Sequence, residues 1–255
     1  MIQYKTKEEI EKMRKGGKIL ADVLFEVLKH AKIGVSEIEL EKLAEKLILE
    51  KGAKPAFKRV KGYNFATCIS TNDAVVHGIP TNYNLKDGDV IGIDCGVYYK
   101  GFNTDAAWTI TIESGKLKVE NDEKRKFLKT GEKALSEAIK VAKAGNRVGH
   151  ISKTIQDIVE GNGYSVVRSL VGHGVGKNLH EEPEVPGFLD IDITKTPLLK
   201  QGMTIAIEVI YNMVKSDVIY EKNNGWTIKT ADGSISGLFE RTIAITEDGP
   251  IILTA

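Results

Sequence analysis

Two pairs of helical segments, each followed by a stretch rich in valine and isoleucine, set the layout of this chain and restrict how it can fold. Thr6 followed by Lys7-Glu8-Glu9 reads as a helix start with acids in its first turn. Ile10, Met13, Ile19, Leu20, Val23, Leu24 and Leu28 then recur at helical spacing to about Ala31. Gly34 breaks the pattern, and Ser36 restarts it with Glu39 three positions on, for a second helix to about Lys51. The plan returns at residues 121–143, pauses at Ala144-Gly145-Asn146, and resumes over residues 148–160, where Gly161 ends it. The β-rich stretches cover residues 67–111 and 166–253. This order predicts an α+β protein, one domain over 1–255, in which halves of about 1–115 and 116–255 close on each other. The repeat is one of layout and not of residue identity.

The bulk numbers exclude several classes. A chain of 255 residues suits one large domain or two small ones, at about 100–200 residues each. Thirty-six basic residues against 35 acidic ones leave a net charge of +1, with no general attraction for nucleic acid or anionic lipid. The densest basic run, Lys124-Arg125-Lys126, falls in a helical pattern and reads as a solvated face. Cys68 and Cys95 can make neither a disulfide framework nor a cysteine zinc site. The N-terminal MIQYKTKEEIEKMRK lacks the apolar core of a signal peptide. No segment approaches the ~20 consecutive apolar residues of a membrane span. A cytoplasmic monomer without nucleic-acid or membrane partners is expected.

Acids stand where strands should be apolar. GDVIGIDCGVYYKGFNTDAAWTITI, residues 88–112, reads as a hairpin turning near Lys100-Gly101, with Asp94 and Asp105 on opposite arms. A two-residue loop sets Asp94 against Ala107 and makes Asp105 its diagonal neighbour on the same face, with Cα atoms about 7–8 Å apart. A four-residue loop sets the two acids directly opposite, and a three-residue loop throws them onto opposite faces. Glu208 interrupts MTIAIEVIY, and Glu240 sits between GLF and RTIAIT. Each acid alone could pair with a nearby base or sit at an exposed strand end. Together they would be too costly to ionise without cations, and two divalent ions balance four carboxylates, with His173 as a neutral nitrogen ligand.

NDAVVHGIP, the hairpin acids, GHGVGKNLHEEPEVP, MTIAIE and FERTIAIT come in that order. In this the chain resembles the type I methionine aminopeptidase family over nearly its whole length. The resemblance implies a pita-bread fold, in which two pseudo-symmetric halves of helix pair and antiparallel strands form a curved sheet flanked by helices. It implies two divalent ions bridged by Asp105 and Glu240, one held by Asp94 and the other by His173 and Glu208. It implies that His77 and His180 contact the substrate and act in catalysis with Glu208, and that Tyr63, Cys68 and Trp226 line a methionine pocket. The implied activity is removal of the initiator methionine from peptides and nascent chains, near the ribosome, when the next residue is small.

The chemistry of these groups suits that reading. Divalent ions acidify bound water for attack on the first peptide bond, and Glu208 can take the proton and pass it to the leaving amine. His77 and His180 are donors for the developing oxyanion. Oxygen ligands with one imidazole fit cobalt, manganese, iron or zinc alike. In the 171–188 stretch VGHGVGKNLHEEPEVPGF, Gly172, Gly174 and Gly176 are expected to let the backbone bend close to metals and substrate. Glu181 and Glu182 either hydrogen-bond in that loop or are solvated. HEEPE mimics the start of a zinc-protease HExxH helix, but its fifth residue is Glu184 and Pro183 forbids the helix.

The chain departs from the family at Leu179 and Val60, where phenylalanine and tyrosine are common, at Val209 in place of proline, and at Asn103-Thr104 before Asp105. None of these removes a ligand. Rival readings are an Xaa-Pro aminopeptidase or dipeptidase of the same fold and a non-catalytic binding protein on this scaffold.

Overall fold

Helix α1 (Lys7–His30) begins at a capping box: the Thr6 hydroxyl accepts from the Glu9 N–H, and the Glu9 carboxylate accepts from the Thr6 N–H. Helix α2 (Glu37–Glu50) opens on the same device, built from Ser36 and Glu39. The structure, a computed structural model, describes residues 1–114 and 119–255. The second helix pair is α3 (Val119–Val141) and α4 (Val148–Gly161). Helix α3 is set two residues earlier than periodicity predicts. It closes early because Ala142 and Lys143 donate to Ile139 and Val141 and tighten the last turn.

The first half then forms β1 (Lys54–Pro55), β2 (Thr67–Thr71), β3 (Ala74–Val76), β4 (Val90–Tyr99) and β5 (Phe102–Thr111). The second forms β6 (Ser165–Val166), β7 (Val171–Gly174), β8 (Glu181–Pro186), β9 (Thr204–Asn212), β10 (Val218–Tyr220), β11 (Ile228–Thr230), β12 (Ser236–Thr246) and β13 (Gly249–Ile252). Strand β1 lies ahead of the expected β-rich stretch and is too short to show a period. Strand β4 pairs with β5 along one edge and with β1 and β2 along the other. Strands β13, β12, β9, β7 and β8 lie in that order, with β6 also on β9. Strand β11 pairs with both β10 and β3, so a small third sheet draws on both halves.

Alternation along the long strands sorts their side chains by face. Ile91, Ile93, Cys95 and Val97 of β4 pack under α1 and α2 against Leu20, Leu24, Leu40 and Ile48. Ile205, Ile207, Val209 and Tyr211 of β9 pack with Phe239 and Ile243 of β12 under α3 and α4, against Phe127, Leu135 and Ile151. The helices thus take one face of each sheet, and the intervening residues, among them all four predicted acids, turn to the other. Gly16 and Gly17 lie mid-helix in α1, where glycine costs about 1 kcal/mol each relative to alanine. A Cβ at Gly17 would collide with the Leu253 carbonyl, and one at Gly16 would sit 3.1 Å from Tyr99 Cβ. That close approach seats α1 on the β4–β5 hairpin and the C-terminal segment.

The hairpin has the two-residue loop. Tyr99 faces Phe102, and Lys100 and Gly101 have φ of 47° and 95°, the left-handed pair that suits a tight hairpin. Strand β5, at the edge of the first large sheet, and β12 of the second are joined by threonine hydroxyls. Thr242 Oγ1 accepts from the Asp105 N–H at 2.9 Å and donates to the Asp105 carbonyl at 2.8 Å. Thr109 Oγ1 treats Leu238 the same way, at 3.0 and 2.7 Å. Among the described residues no helix is long and apolar enough to cross a membrane.

Candidate active site

All five predicted metal ligands line one cavity of about 560 Å³. Register accounts for their meeting. Asp94 opposes Ala107 and Asp105 opposes Gly96, so the two acids are diagonal neighbours on one face of the β4–β5 hairpin. Glu208 of β9 and Glu240 of β12 are direct cross-strand partners. His173 of β7 opposes Ala206, one step along the same face from Glu208, and its Nε2 lies 3.5 Å from Glu208 Oε1. The Thr242 hydroxyl bridge then brings the two sets together at the β5–β12 seam. One donor atom each from Asp105, His173 and Glu240 fall within 4.8 Å of one another.

The site is buried and short of positive charge. Glu240 is 2 % exposed, Asp105 4 % and His173 8 %. Asp94 Oδ1, Asp105 Oδ1 and Glu240 Oε1 are buried with no hydrogen-bond partner, a costly state for a carboxylate. Arg241 follows Glu240 in sequence but turns away: its guanidinium lies 4.4 Å from the centre of the Trp108 ring. Among the described residues no lysine or arginine is ion-paired with any of the four acids. Burial, then the charge of Asp105, pushes the Asp94, Glu208 and Glu240 carboxyls well above the usual range. Burial raises Asp105 to about 7 against its hydrogen bond with Asp94. Burial, and then the nearby His180, lowers His173 to about 4, while its Nδ1 lies 2.8 Å from the Gly174 carbonyl. A neutral imidazole with one nitrogen already engaged presents the other as a ligand. Orphaned carboxylate oxygens, clustered acids and a neutral histidine are a donor set that divalent cations satisfy.

The two other predicted histidines stand on the cavity wall. His77 follows β3 with φ of 54°, a left-handed conformation uncommon for a residue with a side chain. The Thr227 hydroxyl donates to the His77 carbonyl at 3.4 Å and accepts from the Ile79 N–H at 3.2 Å, so β11's approach holds that bend. His180 ends the loop between β7 and β8, with its ring centre 4.3 Å from that of His173. Both reach the open cleft, yet surrounding protein lowers their pKa values, with His180 adding to the effect on His77. Both are neutral donors near pH 7.

The apolar end of the cavity holds the three predicted pocket residues. Tyr63 packs edge-on to Trp226 with ring centres 5.1 Å apart, and its hydroxyl donates to the Thr67 carbonyl at 2.8 Å and lies 3.1 Å from Cys68 Sγ. Cys68 is the β2 partner of Asp94, so this slot adjoins the acids directly. Burial, then the charge of Asp94, keeps the Cys68 thiol protonated. Val60 and Leu179 also line the cavity, as do Phe57 and Val76, and neither of the last two carries a sequence signal that separates it from ordinary core.

The loop glycines answer differently from expectation. A Cβ at Gly172 would crowd the Ala206 carbonyl, and one at Gly174 would collide with the Glu182 carbonyl. Their smallness serves close packing of β7 between its neighbours and not an approach to ions or substrate. Glu181 is bonded and Glu182 is exposed.

The model of metallopeptidase family M24 matches residues 11–247. The methionine aminopeptidase of Clostridium perfringens is 43% identical over 254 residues, covering 100% of this chain and 99% of that protein. The chain belongs to the methionine aminopeptidases of family M24. The crystal structure of the methionine aminopeptidase from Thermotoga maritima superposes with a TM-score of 0.94 at 40% identity, over 100% of this chain and 99% of that one. The α+β architecture is accordingly the pita-bread fold. Prolidase from Pyrococcus furiosus is more distant, with a TM-score of 0.78 at 26% identity, and the match covers 99% of this chain and 65% of that one. As a member of a metallopeptidase family the chain uses divalent metal, and its buried carboxylates with His173 are the donors available for it.

Proposed function

We propose that this chain hydrolyses the first peptide bond of proteins and peptides that begin with methionine, acting on newly made chains whose second residue is small. The observation that carries the reading is the joining, in one cavity, of a buried nest of unsatisfied carboxylates with an apolar slot lined by Tyr63, Cys68 and Trp226. Full-length similarity to methionine aminopeptidases supports it. Residues 1–255 act as one catalytic unit whose halves, about 1–115 and 116–255, each supply part of the site.

Asp94, Asp105, His173, Glu208 and Glu240 hold two divalent ions, of cobalt, manganese, iron or zinc, as the donor set allows. When bound, the ions supply Lewis acidity and lower the pKa of water. Tyr63, Cys68 and Trp226 take the methionine side chain, which fixes the first peptide bond beside the acids. Glu208 would accept the proton of the attacking water and deliver it to the leaving amine. His77 and His180, both neutral, donate to the carbonyl oxygen as it gains charge. The net charge of +1 and the lack of a membrane-spanning helix among the described residues are compatible with work in the cytoplasm, where nascent chains leave the ribosome.

The test is release of methionine from Met-Ala-Ser beside cleavage of an Xaa-Pro peptide, in metal-loaded and chelated protein. Methionine release that vanishes on chelation and returns with a divalent ion is expected. Preferential cleavage of the Xaa-Pro peptide would transfer the chain to the prolidase activity, and activity indifferent to thorough chelation would end the metal reading.

A further inference from the structure

Among the described residues, one lysine or arginine ion pair has both partners nearly closed off from water. Lys5 Nζ lies 2.5 Å from Glu181 Oε2, and each side chain is 4 % exposed, whereas every other such pair has both partners at least 24 % exposed. Exposed pairs are worth about 0–1 kcal/mol. A buried pair gains little net stability over apolar side chains of the same size, because two ions must be stripped of water. What such a pair does supply is geometry.

Lys5 lies just before the capping box of α1, and its backbone N–H donates to the Gly202 carbonyl at 2.7 Å, in the turn that leads to β9. From there its side chain crosses to the β7–β8 loop. Gly176 leaves room for it: a Cβ at that position would collide with Lys5 Cε. Both oxygens of Glu181 are committed, Oε2 to Lys5 and Oε1 to the Asn178 N–H at 3.0 Å. The front of the loop has its own anchor. The Asn103 side-chain amide donates to the carbonyls of Gly176 and Lys177, both at 3.0 Å. Lys5 therefore holds the far end, where His180 is the residue next to Glu181.

We propose that Lys5 is a positioning residue of the cleft: through Glu181 it fixes the end of the β7–β8 loop and with it the direction of the His180 imidazole. The inference rests on the assignment of His180 to the scissile bond. A segment before the first helix, remote in sequence from every cleft residue, thereby sets the aim of one of the two donors. Misaiming a catalytic group by about 1 Å can cost a hundredfold in rate without touching the chemistry itself.

The experiment pairs histidine-selective NMR of the metal-free protein with steady-state kinetics and calorimetric metal titration of the loaded enzyme. His180 signals are assigned by their loss in His180→Ala. In Lys5→Met the His180 imidazole signals should shift and broaden while those of His77, held by Thr227, stay in place. Methionine release should lose about tenfold or more in kcat with little change in KM, since loop aim and not pocket shape is altered. Metal affinity should be unchanged, and Lys5→Arg should recover most of the rate. Unchanged His180 signals and kcat beside a lowered melting temperature would reduce Lys5 to an ordinary structural residue. Lost metal binding would place its effect on His173 instead, and either result overturns the proposal. Should Lys5→Met fail to fold, Glu181→Gln removes the charge at constant size and carries the same expectations. If the wild-type protein releases no methionine, the assignment of function falls while the imidazole spectra still decide whether Lys5 orients His180.

Discussion

The floor of the cleft and its walls are built on different terms. The metal-binding candidates Asp94, Asp105, Glu208 and Glu240 sit inside long strands, and His173 inside a short one, each with backbone partners on its neighbours. His77 and His180 project from irregular chain, one at a left-handed residue and one at the end of a loop. Cation ligands must hold donor atoms within tenths of an ångström, and a hydrogen-bonded ladder does this through many small contacts at once. Groups that meet a substrate after it arrives can stand on loops, but each loop then needs a dedicated anchor. Here the anchors are Thr227 for His77 and Glu181 with Lys5 for His180. The floor is fixed by its fold, the walls by a few side chains.

The sharpest way to break that contrast is to remove a group from the floor. Glu240→Gln keeps size and strand pairing but deletes a charge at the β5–β12 seam. It should cost more than about 100-fold in metal affinity, since even residues that merely orient ligands are worth 10–100-fold, and activity should fall with it. Calorimetric titration with a divalent ion measures the first effect and methionine release the second. His180→Ala tests the wall. Metal binding should survive while kcat drops by about 100-fold, the usual cost of one oxyanion donor. If His180→Ala strips the metal, floor and wall are not separate structures.

A smaller effect follows from the electrostatics of the floor. In the metal-free protein Asp105 titrates at about 7, with Asp94, Glu208 and Glu240 also raised, so the fold retains protons that the unfolded chain gives up, near about pH 4. Through that interval the folded state binds more protons, and stability falls as pH rises. His173, lowered to about 4 from 6.5, works in the opposite sense, as do His77 and His180. The acids, raised further and greater in number, dominate. The melting temperature of chelated protein should therefore fall by a few degrees between about pH 5 and about pH 8, while metal-loaded protein, its acids compensated, stays level. A chelated protein that gains stability over that range would show that the acids are already paired.

Much of the floor was legible in the sequence because it breaks a rule. A carboxylate in the middle of a valine- and isoleucine-rich strand is anomalous, and four of them call for a common cause. Lys100-Gly101 placed the hairpin turn but left its loop length, and so its register, to the structure, while the helix starts were legible in Thr6 with Glu9 and Ser36 with Glu39. The anchors were not legible, because they break no rule. Thr109 and Thr242 are ordinary residues for a strand, Thr227 is ordinary near a turn, and Lys5 looks like any solvated lysine before a helix. Their roles depend on partners more than 100 residues away, which local pattern does not encode. Gly172 and Gly174 misled for a related reason: a glycine signals close approach but not what approaches.

The threonine stitching between β5 and β12 has a mechanical corollary. Asp105 belongs to one sheet and Glu240 to the other, and two hydroxyl rotors span the junction between them. A cation gripped by both residues would act as a rivet through two overlapping plates. Loading the protein would then stiffen the joint between its halves, and prying the plates apart would release the ion.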